Sequence, residues 1–346
     1  MHTPFGRRSM PRLPLGFAAA MLAAAANVPA QAAPSNPDGM KAHIAAAEKV
    51  AASHPDLAGP LNLCKTATGA PASAFMANYK KWSAETPLPP MQVFDNLYFL
   101  GSKWTTAWAI KTSDGIIVVD AMDNADEAEH YIEGGLRKLG LDPTQIKYVV
   151  VSHAHGDHYG GADYLQKKFH PHVVMSTIDW DALDKLRNDA GALKKVNPLF
   201  GPPPARDMAV NDGDSIKLGD TTVTEHLIPG HTLGTLATTF TVFDHGQPHD
   251  AVAWGGTAYN FGPLPDRLQI YADTTKKYES VFGKDNVDVV LSNHVSFDAA
   301  VAKMAKLRER KAGEPNPFVV GNDEVKGFLA ILGECALATK DSLPAK

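Results

Sequence analysis

The amino-acid sequence predicts an α/β fold, an αββα sandwich of two mixed β-sheets with helices on the outside. Three observations lead there. Short hairpin-forming strands are followed by single strands that alternate with helices, and this order of elements occurs twice along the chain. Loops rich in histidine leave the C-terminal ends of the most apolar strands. No repeat of short period competes with this pattern.

Residues 1–32 of the 346 carry the three parts of a secretory signal. Arg7, Arg8 and Arg12 make a basic start, Leu13 to Ala26 an apolar middle, and Ala30-Gln31-Ala32 a small-x-small cleavage site. The Arg7-Arg8 pair also suits twin-arginine export. The expected location is therefore the periplasm or the medium. No membrane attachment is expected after cleavage, because the apolar stretch falls short of the roughly 20 residues that span a bilayer. Loss of the three arginines takes the formal net charge from −5 to about −8, which argues against a nucleic-acid partner. The chain is expected to act as a monomer on a small molecule.

Residues 33–90, rich in Ala, Pro, Ser and Thr, read as an N-terminal extension with one helix from about Pro37 to Ser53 and a link ending at Pro89-Pro90. The only cysteines, Cys64 and Cys335, lie near opposite ends of the exported chain. In an oxidising compartment they can pair and staple the extension to the last helix, or remain two thiols.

From Met91 the pattern changes, and residues 91–346 read as the main domain. Strands are expected at Gln92 to Leu100, Thr105 to Thr112 and Gly115 to Asp120, the last two joined by the tight turn Ser113-Asp114. A helix from Ala125 to Leu139, a strand from Lys147 to Ser152, a helix from Gly161 to Phe169 and a strand from Val173 to Ser176 complete the first half. Ser215 to Leu218 and Thr222 to Leu227 form the next hairpin around Gly219-Asp220, and Thr235 to Phe243 and Ala251 to Trp254 extend it. A helix at Gln269 to Phe282, a strand at Val287 to Leu291 and helices at Phe297 to Arg310 and Asp323 to Thr339 end the chain.

The chemistry concentrates in His153-Ala154-His155-Gly156-Asp157-His158, directly behind the apolar run Tyr148 to Ser152. Side chains alternate along a strand, so a tight loop at its end can turn His153 and His155 toward one point. Asp157 and His158 then reach a second point. A catalytic zinc takes three protein ligands, nitrogen or carboxylate oxygen, and leaves a position for water. Two such ions need about six ligands, and this loop supplies four. His231, after Pro229-Gly230, and His294, after Val289 to Asn293, are strand-end histidines suited to complete the set. His170, His172, His226, His245 and His249 lack such company and read as structural.

With these six residues in place, the chain resembles the metallo-β-lactamase fold superfamily over residues 91 to 340, and most of all its third β-lactamase subclass, which uses no cysteine ligand. The segments Thr112 to Ile116, Pro229 to Thr232 and Pro315 to Val319 strengthen the likeness. The resemblance implies two zinc ions, one held by His153, His155 and His231, the other by Asp157, His158 and His294. It implies opening of the β-lactam ring of penicillins, cephalosporins or carbapenems by a zinc-bound hydroxide, with Asp157 orienting it as the catalytic carboxylate. Superfamily members that cleave lactones, thioesters or phosphodiesters usually have a bridging Gly-Asp where this chain reads Ala253-Trp254-Gly255-Gly256-Thr257-Ala258. The serines that often bind the drug carboxylate are replaced by Gly256 and Ala258, so Thr257, Asn260 and Lys103 are candidate substitutes. Trp104 and Tyr159 are expected at the pocket mouth. Asp120 is the expected partner that orients a ligand histidine. A lactone or other cyclic ester or amide as substrate, or a zinc-binding protein without catalysis, are the competing readings.

Overall fold

In the computed structural model the described residues are 34–67, 88–189, 191 and 200–344. The predicted signal at residues 1–32 lies outside them. Two sheets form. The first has seven strands in chain order, β1 Met91–Gln92, β2 Leu97–Gly101, β3 Thr106–Thr112, β4 Gly115–Val119, β5 Ile146–Val150, β6 His172–Ser176 and β7 Met208–Val210. Its β1 to β4 pairs are antiparallel and its β4 to β7 pairs parallel. The second runs β12-β11-β10-β9-β8, from β8 Ser215–Leu218, β9 Thr221–Leu227, β10 Leu236–Asp244 and β11 Gln247–Trp254 to β12 Val289–Ser292. Only its β11–β12 pair is parallel, so both sheets are mixed, as the sequence predicts.

The layers follow from which strand faces are apolar. Phe99, Trp108, Ile110, Ile117, Val119 and Val150 of the first sheet meet Val223, Leu236, Phe240, Val242, Ala253 and Leu291 of the second in one buried cluster. The opposite face of the first sheet, with Tyr98, Val118, Val149 and Met175, is covered by the helical run 125–138 (α1), Ala162–Phe169 (α2) and Thr177–Asn188 (α3), through Ile132, Leu136, Leu165, Trp180 and Leu183. The outer face of the second, with Ala237, Val252 and Trp254, packs against Pro265–Lys284 (α4) and Asn322–Ser342 (α5). Burial of apolar area on both faces of each sheet, at roughly 25 cal/mol per Å², drives this four-layer arrangement.

Helix Pro37–Ser53 of the extension lies against α5, and Cys64 is disulfide-bonded to Cys335 of that helix. Among the described residues no helix is long and apolar enough to cross a membrane.

Three elements differ from expectation. The single strand expected at Gln92 to Leu100 is broken by a turn at Val93–Asn96, so its halves β1 and β2 pair with each other; Asp95-Asn96 is a turn signal inside an apolar run. Helix α3 and strand β7 were not expected. The start of α3 has a legible signal, Ser176-Thr177-Ile178-Asp179, in which the Ser176 hydroxyl accepts from the Asp179 N–H at 3.1 Å.

The sheets are tied together at one end. Leu236 N–H donates to the Ser152 carbonyl (2.8 Å), Thr106 N–H to the Asn293 carbonyl (3.0 Å) and the Trp108 indole to the Ser292 carbonyl (3.1 Å). The loops after β5, β9 and β12 therefore converge on one edge.

Candidate metal centre

The six residues singled out in the sequence form two groups on this edge. Within each group, one donor atom per residue lies within 4.8 Å of the others. In the first, His231 Nε2 stands 3.0 Å from His153 Nε2 and 2.9 Å from His155 Nδ1. In the second, Asp157 Oδ2 stands 3.5 Å from His158 Nε2 and 3.6 Å from His294 Nε2. The rings of His153 and His158 are 4.3 Å apart, so the groups are side by side.

Local structure explains the split. His153 lies in a bend just after β5, and His155, with extended backbone, is the N-cap of a one-turn helix, Gly156–Tyr159, that swings Asp157 and His158 around to the second group. His231 follows Pro229-Gly230 on the loop after β9, and His294 follows β12.

Hydrogen bonding behind the rings settles where their lone pairs point. The His231 Nδ1–H donates to the Ala258 carbonyl (2.6 Å) and the His294 Nδ1–H to the Trp104 carbonyl (3.2 Å), leaving both Nε2 atoms without hydrogen. His158 Nδ1–H donates to Asp120 Oδ2 at 2.9 Å. Ser152 Oγ donates to the same carboxylate (3.0 Å) and accepts from His153 Nδ1 (2.9 Å). Several nitrogen lone pairs and a carboxylate thus face one another in a buried space, an arrangement a divalent cation resolves. Tetrahedral nitrogen ligands at about 2.1 Å from zinc stand about 3.4 Å apart, close to the separations found. The donor set fits zinc.

The electrostatics agree. Burial pushes His153 and His231 well below the ordinary imidazole value, and takes His155 and His294 down to about 4, so all four are neutral and able to ligate at pH 7. Burial acts the same way on His158, but the carboxylates of Asp157 and Asp120 override it and push it up to about 10. Burial works against ionised Asp157, and the neighbouring His158 outweighs it and holds the carboxyl well below the usual range. In the second group a cation would take over the place that the imidazolium otherwise fills.

Asp120 is fully buried at the end of β4 with a left-handed φ of 63°. That conformation costs a non-glycine residue about 1–3 kcal/mol. It lets one carboxylate accept from the Ser152 N–H (2.7 Å), the Ser152 hydroxyl and His158. Ser152 and Asn293, whose amide donates to Ser152 Oγ (3.3 Å) and to the Gly255 carbonyl, belong to this network without a motif of their own in the sequence. Their one signal was adjacency to ligand histidines.

The expected substrate contacts fare differently. The Trp104 ring packs 4.4 Å from that of His294. Tyr159 is 1 % exposed and sits in the core beneath the first sheet, not at a pocket mouth, because the one-turn helix directs it inward. Thr257 is also 1 % exposed and its buried Oγ1 reaches no partner, so the expected role as an open donor is not met. Asn260 is exposed in a turn, and Lys103 is exposed. A Cβ at Gly256 would lie 2.6 Å from His231, so no serine fits there. His172 pairs with Asp207 (3.1 Å), His226 with Thr239 (2.9 Å) and His249 with Asp288 (2.7 Å), away from both groups.

Residues 105–241 match the family model described as the metallo-beta-lactamase superfamily. Among solved structures, the chain is similar to BJP-1, a subclass B3 metallo-β-lactamase of Bradyrhizobium japonicum, at 30% identity and a TM-score of 0.61 over 72% of this chain and 92% of that one. The chain belongs to the metallo-β-lactamase superfamily. Native FEZ-1 metallo-β-lactamase from Legionella gormanii is similar at 26% identity, with a TM-score of 0.60 over 70% of this chain and 92% of that one. The class B3 di-zinc enzyme LRA-12 from an Alaskan soil metagenome shares the fold at 23% identity and a TM-score of 0.56, over 72% and 92% of the two chains. This member of the superfamily is a metallo-β-lactamase-type hydrolase.

Proposed function

We propose that the protein is a di-zinc hydrolase that opens the β-lactam ring of penicillins, cephalosporins or carbapenems. The observation that carries this reading is the pair of adjacent donor groups, His153/His155/His231 and Asp157/His158/His294, with a single carboxylate between them. Asp250 does not supply another, because it pairs with Thr241 toward the far end of β11, and Asp266 stands in the first turn of α4. Zinc, when bound, supplies Lewis-acid polarisation and brings the pKa of a bound water to about 7. His153, His155 and His231 hold one ion, and Asp157, His158 and His294 the other. Asp157, 15 % exposed, is the one ligand carboxylate of the two groups and is placed to orient the attacking water. Asp120 keeps the His158 Nδ1–H occupied so that Nε2 faces inward.

We infer export by the predicted signal and action as a monomer in the periplasm; the Cys64–Cys335 disulfide supports an oxidising compartment. Purified, zinc-loaded protein is expected to hydrolyse a chromogenic cephalosporin, to resist serine-directed inhibitors, and to lose the activity to a chelator. Undiminished turnover after chelation and dialysis would refute the reading. The lack of room for a serine at Gly256 favours a second reading, a cyclic ester as substrate. Hydrolysis of an acyl lactone with none of penicillin or carbapenem would select it.

A further inference from the structure

We propose that Asp179 and Arg267 form a charged clamp that positions His231 and sets the two ligand loops of the three-histidine group against each other. Neither residue meets a donor atom of the group, so both are positioning residues, and the proposal rests on the reading of that group as a metal site. Asp179, 2 % exposed, stands in the first turn of α3. Its Oδ2 accepts from the Ala154 N–H (2.8 Å) and the Thr232 hydroxyl (2.7 Å), and its Oδ1 from the Gly234 N–H (3.1 Å). Ala154 lies between His153 and His155, and Thr232 follows His231. One buried carboxylate thus holds the ligand loop of the first sheet and that of the second.

Arg267, on α4, grips the same turn through its carbonyls. Its Nε donates to Gly230 and its Nη2 to His231, both at 2.7 Å. These atoms form one edge of the planar guanidinium, which reads two successive carbonyls as a fork. The Phe261 ring lies 4.6 Å from the guanidinium and fixes its plane. Donors of the turn therefore go to a carboxylate and acceptors to a cation, and hydrogen bonds to charged groups are about twice as strong as neutral ones. Gly230, at φ +151° with Tyr271 2.5 Å from where a Cβ would be, presses the turn onto α4. The loop carrying His231 is otherwise outside both sheets.

The test uses zinc titration of the full chain, with His294→Ala as a background that isolates the three-histidine group and His231→Ala as one that isolates the other. Asp179→Asn turns an amide N–H toward backbone donors, and Arg267→Lys keeps the charge but loses the planar fork that meets both carbonyls. Each is expected to weaken zinc binding by the three-histidine group about 10- to 100-fold, the range for outer partners of metal ligands, and to leave the other group within about 3-fold. Amide hydrogen exchange at 229–235 should rise in both variants. Equal weakening of the two groups, or unchanged affinity in either variant, overturns the clamp. Should Asp179→Asn fail to fold, Thr232→Val removes one of its bonds and carries the same expectation. If His231→Ala binds as much zinc as wild type, the metal-site reading itself fails; if it loses one ion while the clamp variants lose none, only the clamp fails.

Discussion

The two donor groups lie side by side but differ in charge and in what stands behind them. The three-histidine group is neutral, and His231 is aimed by a main-chain carbonyl, that of Ala258. The Asp157/His158/His294 group carries a carboxylate and has a second one, Asp120, directly behind His158. Equal numbers of ligands therefore do not make equal sites. The first is held through its ligand loops, whose main chain meets Asp179 and Arg267, and the second through a carboxylate bonded to a ligand ring, so they should fail in different ways.

Removal of the one ligand carboxylate tests the difference most severely. Asp157→Ala is expected to lose the second ion and to cut turnover by more than about 100-fold, since even an outer partner of a ligand is worth 10- to 100-fold. Metal content and single-substrate kinetics measured on the same sample decide it; two retained ions would contradict the assignment. Asp120→Asn keeps every ligand and changes only the support. Zinc affinity of the second group should drop about 10- to 100-fold in competition titrations. The metal-free melting temperature should also fall, because an amide cannot accept all three bonds and an unmet buried donor costs about 1–3 kcal/mol.

A subtler contrast lies deeper. Glu225, on β9 between the sheets, is fully buried, accepts from Thr238 at 2.8 Å and is pushed up to about 8, first by burial and further by the charge of Asp120. Its folded pKa exceeds the ordinary 4.5, so its contribution to stability is complete below pH 4.5 and lost as the pH rises to about 8. Glu225→Gln should flatten the melting temperature across that window and raise it by several degrees at pH 8, as scanning calorimetry can show. No gain at pH 8 over pH 5 would mean that the acid is not protonated when folded. The mildest effect on the site is expected from Cys64→Ser with Cys335→Ser. Loss of this disulfide should cost about 2–5 kcal/mol of stability and leave zinc stoichiometry at both groups unchanged.

Most of the fold was legible because periodicity and turn chemistry are local. The hairpin at Ser113-Asp114, the apolar β5 and β12, and the last helix all carry patterns complete within a dozen residues. The turn at Asp95-Asn96 is masked by the apolar run around it, and α3 is marked in the sequence only at its start, by Ser176 and Asp179. The substrate-side residues were the least legible. Tyr159 adjoins a ligand segment in sequence and Thr257 lies in the loop after β11, yet both are buried at 1 % exposure.

The sequence alone determined the donor types, their order and their placement at strand ends, because ligand chemistry needs particular side chains and strand ends are marked by apolar runs stopping at turn residues. Only the tertiary structure decided which donors meet and which way each ring faces. Those depend on Asp120, Ser152, Asn293 and the Ala258 and Trp104 carbonyls, contacts between segments as much as 190 residues apart; of these only Asp120 is marked, at the end of an apolar strand, and the partner each group meets is set by segments distant in sequence.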